Sequence, residues 1–214
     1  MRVIMLGPPG SGKGTQGERI ASRYGVPHIS SGELFRDEVA RQTETGKTLQ
    51  RYLDAGDLVP DDLVISLIMD RVIAAHAEGG WVLDGFPRTV PQAEALDLML
   101  ADRDLRIDHV IEFKVDEAVL IDRLGGRFTC RNCGASYHDR YHRPRIDSVC
   151  DVCGHREFVR RADDQPSAVG TRFDAYRRQT APILPYYRDR GLLRQVDGMA
   201  DIDAVTAEIE AIIG

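Results

Sequence analysis

The stretch Met1-Arg-Val-Ile-Met-Leu-Gly-Pro-Pro-Gly-Ser-Gly-Lys-Gly-Thr15 decides the fold. Val3 to Leu6 is a short apolar run of the kind that a strand buried on both faces needs. It breaks into Gly7-Pro8-Pro9-Gly10-Ser11-Gly12-Lys13 just before a helical pattern begins. Strand, glycine loop and helix N-terminus in that order make an anion site. Glycines allow several backbone N–H groups to converge, the helix adds the positive end of its dipole, and Lys13 reaches the outer oxygens of a phosphate chain. The match to G-x4-G-K-[ST] is loose at its end, because Gly14 stands at the hydroxyl position and Thr15 follows it. A glycine-rich turn with an incidental lysine is the rival reading; the strand before and the helix after weigh against it.

Outward from the loop, Thr15 to Tyr24 carries a helical pattern that stops at Gly25. Val26 to Ile29 reads as a short strand. Ser30-Ser31-Gly32-Glu33 offers N-cap chemistry for a helix holding Leu34, Phe35 and Val39. The pattern predicts further helices over Lys47–Ala55, from Pro60-Asp61-Asp62 to Ala75, Gln92–Leu100, Glu117–Leu124 and Asp203–Ile213. It predicts strands at Trp81-Val-Leu-Asp84-Gly85, His109–Val115 and Leu192–Val196. A long helix begins at Asp163 and carries Phe173, Tyr176 and Arg177, with a kink expected at Pro182 and Pro185. Strands alternating with helices imply an α/β fold with a doubly wound parallel sheet, its ligands at the carboxyl ends of the strands.

At 214 residues, 43% apolar and 29% charged, the composition is that of a globular chain with one sizeable core and room for small insertions. The net charge of −6 argues against general binding of nucleic acid, where a basic excess drives counterion release. Only Lys13, Lys47 and Lys114 are lysines, so the positive charge is nearly all arginine, whose planar fork suits phosphate. A base-composition bias of the source genome explains that skew equally well. There is no apolar leader and no run of about eighteen apolar residues, so a soluble, cytoplasmic protein without a membrane partner is expected.

The four cysteines form two pairs, Cys130-Arg-Asn-Cys133-Gly134 and Cys150-Asp-Val-Cys153-Gly154, sixteen residues apart. In a cytosolic chain this spacing indicates metal, not disulfides. Four thiolates suit a closed tetrahedral zinc site with no open position for catalysis, so a structural Zn2+ is expected; iron in a rubredoxin-like site is the alternative. Nothing between the pairs offers a large apolar core, so the metal should supply much of the segment's folding energy. His138, His142 and His155 lie nearby and are expected at the surface.

The loop Gly-x-Pro-Gly-x-Gly-Lys-Gly-Thr, then Asp84-Gly85-Phe86-Pro87-Arg88-Thr89, then Arg161-Ala-Asp163-Asp164, in that order and spacing, resembles adenylate kinase. The similarity runs essentially end to end, and it is to the long bacterial form with a zinc-bearing lid. It implies a core of 1–29, 60–121 and 161–214, a monophosphate-binding segment at 30–59 and a lid at 122–160. It implies reversible, Mg2+-dependent transfer between ATP and AMP to give two ADP.

Carried over by resemblance, Gly10, Ser11, Gly12, Lys13, Gly14, Thr15, Arg123, Arg127 and Gly198 would hold ATP. Ser31, Arg36, Asp57, Val59, Gly85, Arg88, Gln92, Arg161 and Arg172 would hold AMP, with Gln92 on the adenine. Lys13, Asp84, Arg88, Arg123, Arg161 and Arg172 would act on the transferring group, Asp84 through the waters of Mg2+. Asp163 and Asp164 would help to close the lid. Ser31 and Glu33 replace the family's usual threonine and aspartate, Asp57 replaces a common lysine, and Gly170-Thr171 replaces a more basic run before Arg172. Phosphoryl transfer needs positioning, cations and exclusion of water more than covalent help, which is why arginines dominate the set.

Two other readings fit parts of the chain. One is another monophosphate kinase, with GTP as donor or UMP or CMP as acceptor. The other is a zinc-ribbon nucleic-acid binder on a phosphate-loop regulatory domain, supported only by Arg140, His142, Arg143 and Arg145. A monomer is expected, since no segment reads as an uncovered apolar surface.

Overall fold

In the computed structural model, which describes residues 1–214 apart from the side chains of Ala162, Pro166 and Ser167, the run Arg2–Leu6 becomes β1. The chain continues through α1 (Lys13–Tyr24), β2 (His28–Ser30), α2 (Ser31–Ala40), α3 (Glu44–Ala55), α4 (Asp61–His76), β3 (Trp81–Asp84) and α5 (Val90–Ala101). It goes on through β4 (His109–Lys114), α6 (Glu117–Gly125), the short strands β5 (Arg127–Cys130), β6 (Ser136–His138) and β7 (Phe158–Val159), and α7 (Pro166–Ala175). The last elements are α8 (Ile183–Arg188), β8 (Leu193–Asp197) and α9 (Ile202–Ile213).

The five core strands pair in the order β2-β3-β1-β4-β8, all parallel. Side chains alternate across a strand, and β1 sends successive residues to opposite cores. Ile4 and Leu6 pack with Leu83, Val110 and the inner faces of α4, α5 and α8. Val3 and Met5 pack with Val82, Ile111 and Phe113 under α1 and α9. This is why these strands read as continuous apolar runs: both faces are covered. β1 lies between β3 and β4, where the winding reverses, so a crevice opens at the carboxyl ends of these three strands.

α2 and α3 form a helical hairpin between β2 and α4. Ser30 caps α2, accepting from the Glu33 N–H, and Thr43 caps α3, accepting from the Gly46 N–H at 2.9 Å. The Thr43 cap starts α3 at Glu44, three residues before the expected Lys47.

The long helix expected from Asp163 is broken. A 3-10 turn at Ala162–Asp164 precedes α7, and a π turn at Tyr176–Thr180 separates α7 from α8. Pro182 lacks the N–H that would continue the ladder, and the break falls before the proline: the Ala181 N–H reaches back to the Tyr176 carbonyl at 2.8 Å.

The three-stranded antiparallel sheet β6-β5-β7 was not expected. Its strands are two to four residues long and carry a cluster of Phe128, Tyr137 and Phe158 against Cys130 and Cys150. His138 is a correction. It is buried against Gly126, not at the surface, and its Nδ1 accepts the N–H groups of Arg140 and Tyr141 at 3.0 and 3.2 Å. His142 is exposed and His155 half-buried.

Candidate active site

A cleft of about 520 Å³ opens at the carboxyl ends of β1, β3 and β4, lined by the glycine loop, the α2–α3 hairpin and the β5–β6 segment. Gly10 and Gly12 sit at φ 81° and 94°, the left-handed region that glycine enters without strain. Ser11 is buried and its N–H donates to the Pro8 carbonyl at 3.2 Å. Lys13 Nζ donates to the same carbonyl at 2.9 Å. Burial pulls its pKa down to about 8, and nearby Arg88, Arg172 and Arg127 add to that fall while Asp84 opposes it. The missing hydroxyl at position 14 has a steric account: a Cβ there would lie 3.3 Å from Asp84 Oδ2. Among the described residues the Asp84 carboxylate accepts no hydrogen bond and joins no ion pair, although it borders the cleft.

The arginines come from four separate parts of the chain. Arg36 stands on α2, with its guanidinium beside Gly32. Arg88 follows β3, and its Nε donates to the Gly85 carbonyl at 2.7 Å while Nη2 reaches Ser31 Oγ at 3.4 Å. Ser31 is fully buried and donates to the same carbonyl at 2.6 Å. Gly85 is required here, since at φ 75° a Cβ would fall 2.6 Å from Ser31 Oγ. Arg123 Nη1 donates to the Gly198 carbonyl at 2.8 Å, joining α6 to the turn after β8. Arg127 forks onto Asp164, with Nε 2.7 Å from Oδ2. Arg172 bridges Asp163 and Asp164 at 3.0 and 2.7 Å.

Arg161 differs from these: its Nε is buried with no hydrogen-bond partner among the described residues. Burial, then the neighbouring Arg127 and Arg36, pull its pKa down to about 9. The guanidinium pKa values of Arg36 and Arg88 are lowered too, burial again the first cause. So many buried cations around few carboxylates raise the field of a site that binds polyanions. Asp163 is held below its ordinary value because Arg172, Arg127, Arg36 and Arg161 outweigh the effect of its burial.

Ser31, Asp57, Val59, Gly85 and Gln92 border the same cleft, or are buried beside it, as does Gly198 on the loop side. The Gln92 amide is engaged at both ends. Oε1 accepts the Arg88 N–H at 2.7 Å, and Nε2 donates to Asp61 Oδ1 at 2.7 Å. Asp61 was legible in the chain only as an acid in the first turn of a helix; its contact with α5 joins positions 31 apart in sequence and left no local signal.

The four cysteines meet in the β5–β6 segment, their sulfurs all within 4.8 Å of one another. Cys130 and Cys153 Sγ lie 3.6 Å apart, Cys133 and Cys150 Sγ 3.5 Å, and none is in a disulfide. Tetrahedral bonds of about 2.3 Å to zinc set sulfur–sulfur edges near 3.8 Å, so the set fits that ion. Each pair closes a knuckle in which Gly134 and Gly154, at φ 75° and 72°, turn their N–H groups back to the carbonyls of Cys130 and Cys150. Burial raises the Cys150 thiol, but the Tyr137 hydroxyl and the N–H groups of Cys153 and Val152 outweigh it and leave the pKa at about 6.

A family model described as Adenylate kinase matches residues 5–192. A protein of Rhizobium rhizogenes named adenylate kinase is 50% identical over 213 residues, covering 100% of this chain and 99% of its own. One of Allorhizobium ampelinum with the same name is 48% identical over the same length and coverage. One of Moorella thermoacetica, also so named, is 47% identical over 214 residues, with 98% of its own chain covered.

Proposed function

The chain belongs to the adenylate kinase family, and from that premise we propose how its residues carry the reversible transfer ATP + AMP ⇌ 2 ADP. The enzyme is a phosphotransferase that binds these nucleotides. One observation supports the assignment of residues above all: among the described residues the Arg161 Nε is buried without a partner, surrounded by cations from four segments that share the cleft of Lys13. Phosphate oxygens are the acceptors such donors require.

The donor triphosphate lies along the backbone of 10–15 with Lys13 on its outer phosphates, and Gly198 and Arg123 close over the other side. Arg36 and Arg88 hold the AMP phosphate, Arg88 kept rigid by Gly85 and Ser31. Arg127, Arg161 and Arg172 surround the oxygens on which charge develops, with Asp163 and Asp164 holding Arg127 and Arg172 in place. Transfer is direct and in line, without a covalent enzyme intermediate. The Mg2+ that adenylate kinases use with ATP supplies charge neutralisation at the phosphates. Asp84, an uncommitted carboxylate beside Lys13, is the residue suited to its water shell.

Residues 30–59 and 122–160 serve as the monophosphate-binding segment and lid, carried on the core of 1–29, 60–121 and 161–214. Their closure excludes water, so that AMP and not water receives the phosphoryl group. The cysteine cluster holds a structural Zn2+ that stiffens the lid. The protein acts as a cytoplasmic monomer with neither membrane nor nucleic-acid partner. In support, no helix among the described residues is long and apolar enough to cross a membrane. The basic side chains at 140 and 143 are engaged by Asp122 and the Asp139 carbonyl.

The test is ADP formation with Mg2+ and ATP while AMP, GMP, CMP and UMP are offered in turn, each repeated with GTP as donor. Transfer confined to AMP is expected. Slow hydrolysis of ATP with transfer to no acceptor would overturn the reading.

A further inference from the structure

Gln92 is the side chain that the resemblance to adenylate kinase sets on the acceptor base, and an amide can read a base edge in two ways. Adenine offers an acceptor at N1 and a donor at its 6-amino group. Hypoxanthine, and the same edge of guanine, offers the reverse, N1–H and a carbonyl oxygen. An amide that turns over about its last bond would serve both equally. Here it is held from behind. The Arg88 N–H is only a donor and faces Oε1 at 2.7 Å; the Asp61 carboxylate is only an acceptor and faces Nε2 at 2.7 Å. Turning the amide over would set Oε1 against a carboxylate and its NH2 against an N–H.

Asp61 is itself fixed. It opens α4 immediately after Pro60, and the same Oδ1 that takes Gln92 accepts the Thr89 hydroxyl at 2.9 Å. Thr89 in turn caps α5, accepting the Gln92 N–H at 3.3 Å. Gln92 is buried to 1% exposure yet borders the cleft, which leaves one N–H and one oxygen lone pair for a ligand. In the fixed orientation these match adenine.

We propose that Asp61 is the specificity-positioning residue of the acceptor site: by holding the Gln92 amide in one orientation it makes the enzyme reject 6-oxopurine monophosphates. The inference deepens the adenylate kinase reading and rests on it. Asp61 touches no substrate; it acts through Gln92.

The wild-type enzyme tests this directly. With Mg2+ and ATP it is offered AMP, purine riboside monophosphate, which keeps the N1 acceptor and lacks the 6-amino group, and IMP. A fixed amide makes one good bond to the purine analogue and opposes both groups of IMP, so kcat/KM falls in the order AMP, purine riboside monophosphate, IMP. At least about tenfold should separate the last two. A freely turning amide would pair twice with IMP, and IMP used as well as the purine analogue would overturn the proposal. In Asp61→Asn, whose side chain can donate or accept, the preference for AMP over IMP in kcat/KM should fall by about tenfold or more, chiefly through KM. Asp61→Glu, which keeps an acceptor-only group, should retain the preference. A lower melting temperature with the AMP/IMP ratio unaltered in Asp61→Asn would make Asp61 merely structural. Failure of the wild type to use AMP would instead overturn the adenylate kinase reading on which the proposal stands.

Discussion

Lys13 Nζ and the Pro8 carbonyl oxygen lie 2.9 Å apart, so the lysine of the glycine loop is tied to the loop's own backbone. One carbonyl and a more distant Ser11 hydroxyl at 3.4 Å are little compensation for an ammonium in this cleft. Burial accordingly draws its pKa from 10.5 to about 8. On the proposed reading the charge is placed for phosphate, at the expense of the folded state.

Lys13→Met should therefore abolish turnover while raising the melting temperature of the nucleotide-free protein. At neutral pH the native state bears a charge that it disfavours, and each kcal/mol recovered is worth roughly 2–4 °C for a chain of this size. The sign follows from linkage. Above pH 8 the native lysine loses its proton while the unfolded one keeps it to about 10.5, so wild-type stability rises through that window. Melting curves between pH 7 and 10.5 should show the variant's advantage shrinking as pH rises. An advantage constant with pH would mean that packing, not charge, is responsible.

Arg88→Ala should lower kcat by about 10²–10³-fold with the fold intact, as loss of one preorganised donor to a developing charge does elsewhere. Arg88→Lys should recover little of it. The guanidinium uses Nε on the Gly85 carbonyl and Nη2 on Ser31 Oγ, and a single ammonium cannot make that fork. Steady-state kinetics on both variants, with circular dichroism to confirm folding, decide it. Near-wild-type kcat in either would remove Arg88 from the site.

Asp163 tests the clamp on the arginines. Its carboxyl lies below 3.8 in the native state, so it contributes stability at neutral pH that is lost as pH falls through its native pKa. Asp163→Asn should flatten the acid limb of the stability curve below about pH 4. It should also lower kcat, because Arg172, placed at the transferring group, then keeps only Asp164. Urea melts at a series of pH values read the first effect and initial rates the second. An unchanged acid limb would show that the ion pair carries no net stability.

Much of this architecture is legible in the amino-acid sequence. Val3–Leu6 and Trp81–Leu83 are buried on both faces, and a continuous apolar run reports that burial directly. The glycine loop was legible because Gly10 and Gly12 do what only glycine does easily. What stayed hidden depends on contacts across the chain. β5, β6 and β7 are too short to show alternation, and pairing across an insertion, not pattern, makes them strands. His138 is buried because Gly126 leaves room for its ring. The cluster of arginines was locatable through resemblance, but Asp61 on Gln92, and the lone Nε of Arg161, required the folded chain.

The metal gives the last prediction. The apolar cluster of the β5–β6–β7 sheet is small: Phe128 lies edge-on to Phe158 at 5.4 Å and Tyr137 edge-on to it at 5.5 Å, beside the two buried cysteines. So small a cluster cannot offset the ordering of about forty residues, at 1–2 kcal/mol of backbone entropy each, and a Zn2+ bound by four thiolates would supply the deficit. On the proposed reading most of the reacting groups lie elsewhere: Lys13, Arg88 and Arg172 stand on the core, Arg161 borders the insertion, and Arg123 and Arg127 lie at its start. Chelation, or Cys150→Ser, should then lower the melting temperature by several degrees while leaving kcat at low temperature within a few-fold of the metal-loaded enzyme. A chromogenic chelator should count one Zn2+ released per chain as the lid melts. Melting curves that coincide with and without chelator would show that the four sulfurs hold the lid without metal. A loss of kcat at low temperature equal to the loss of metal would show that the lid's order is needed for each turnover, not only for stability.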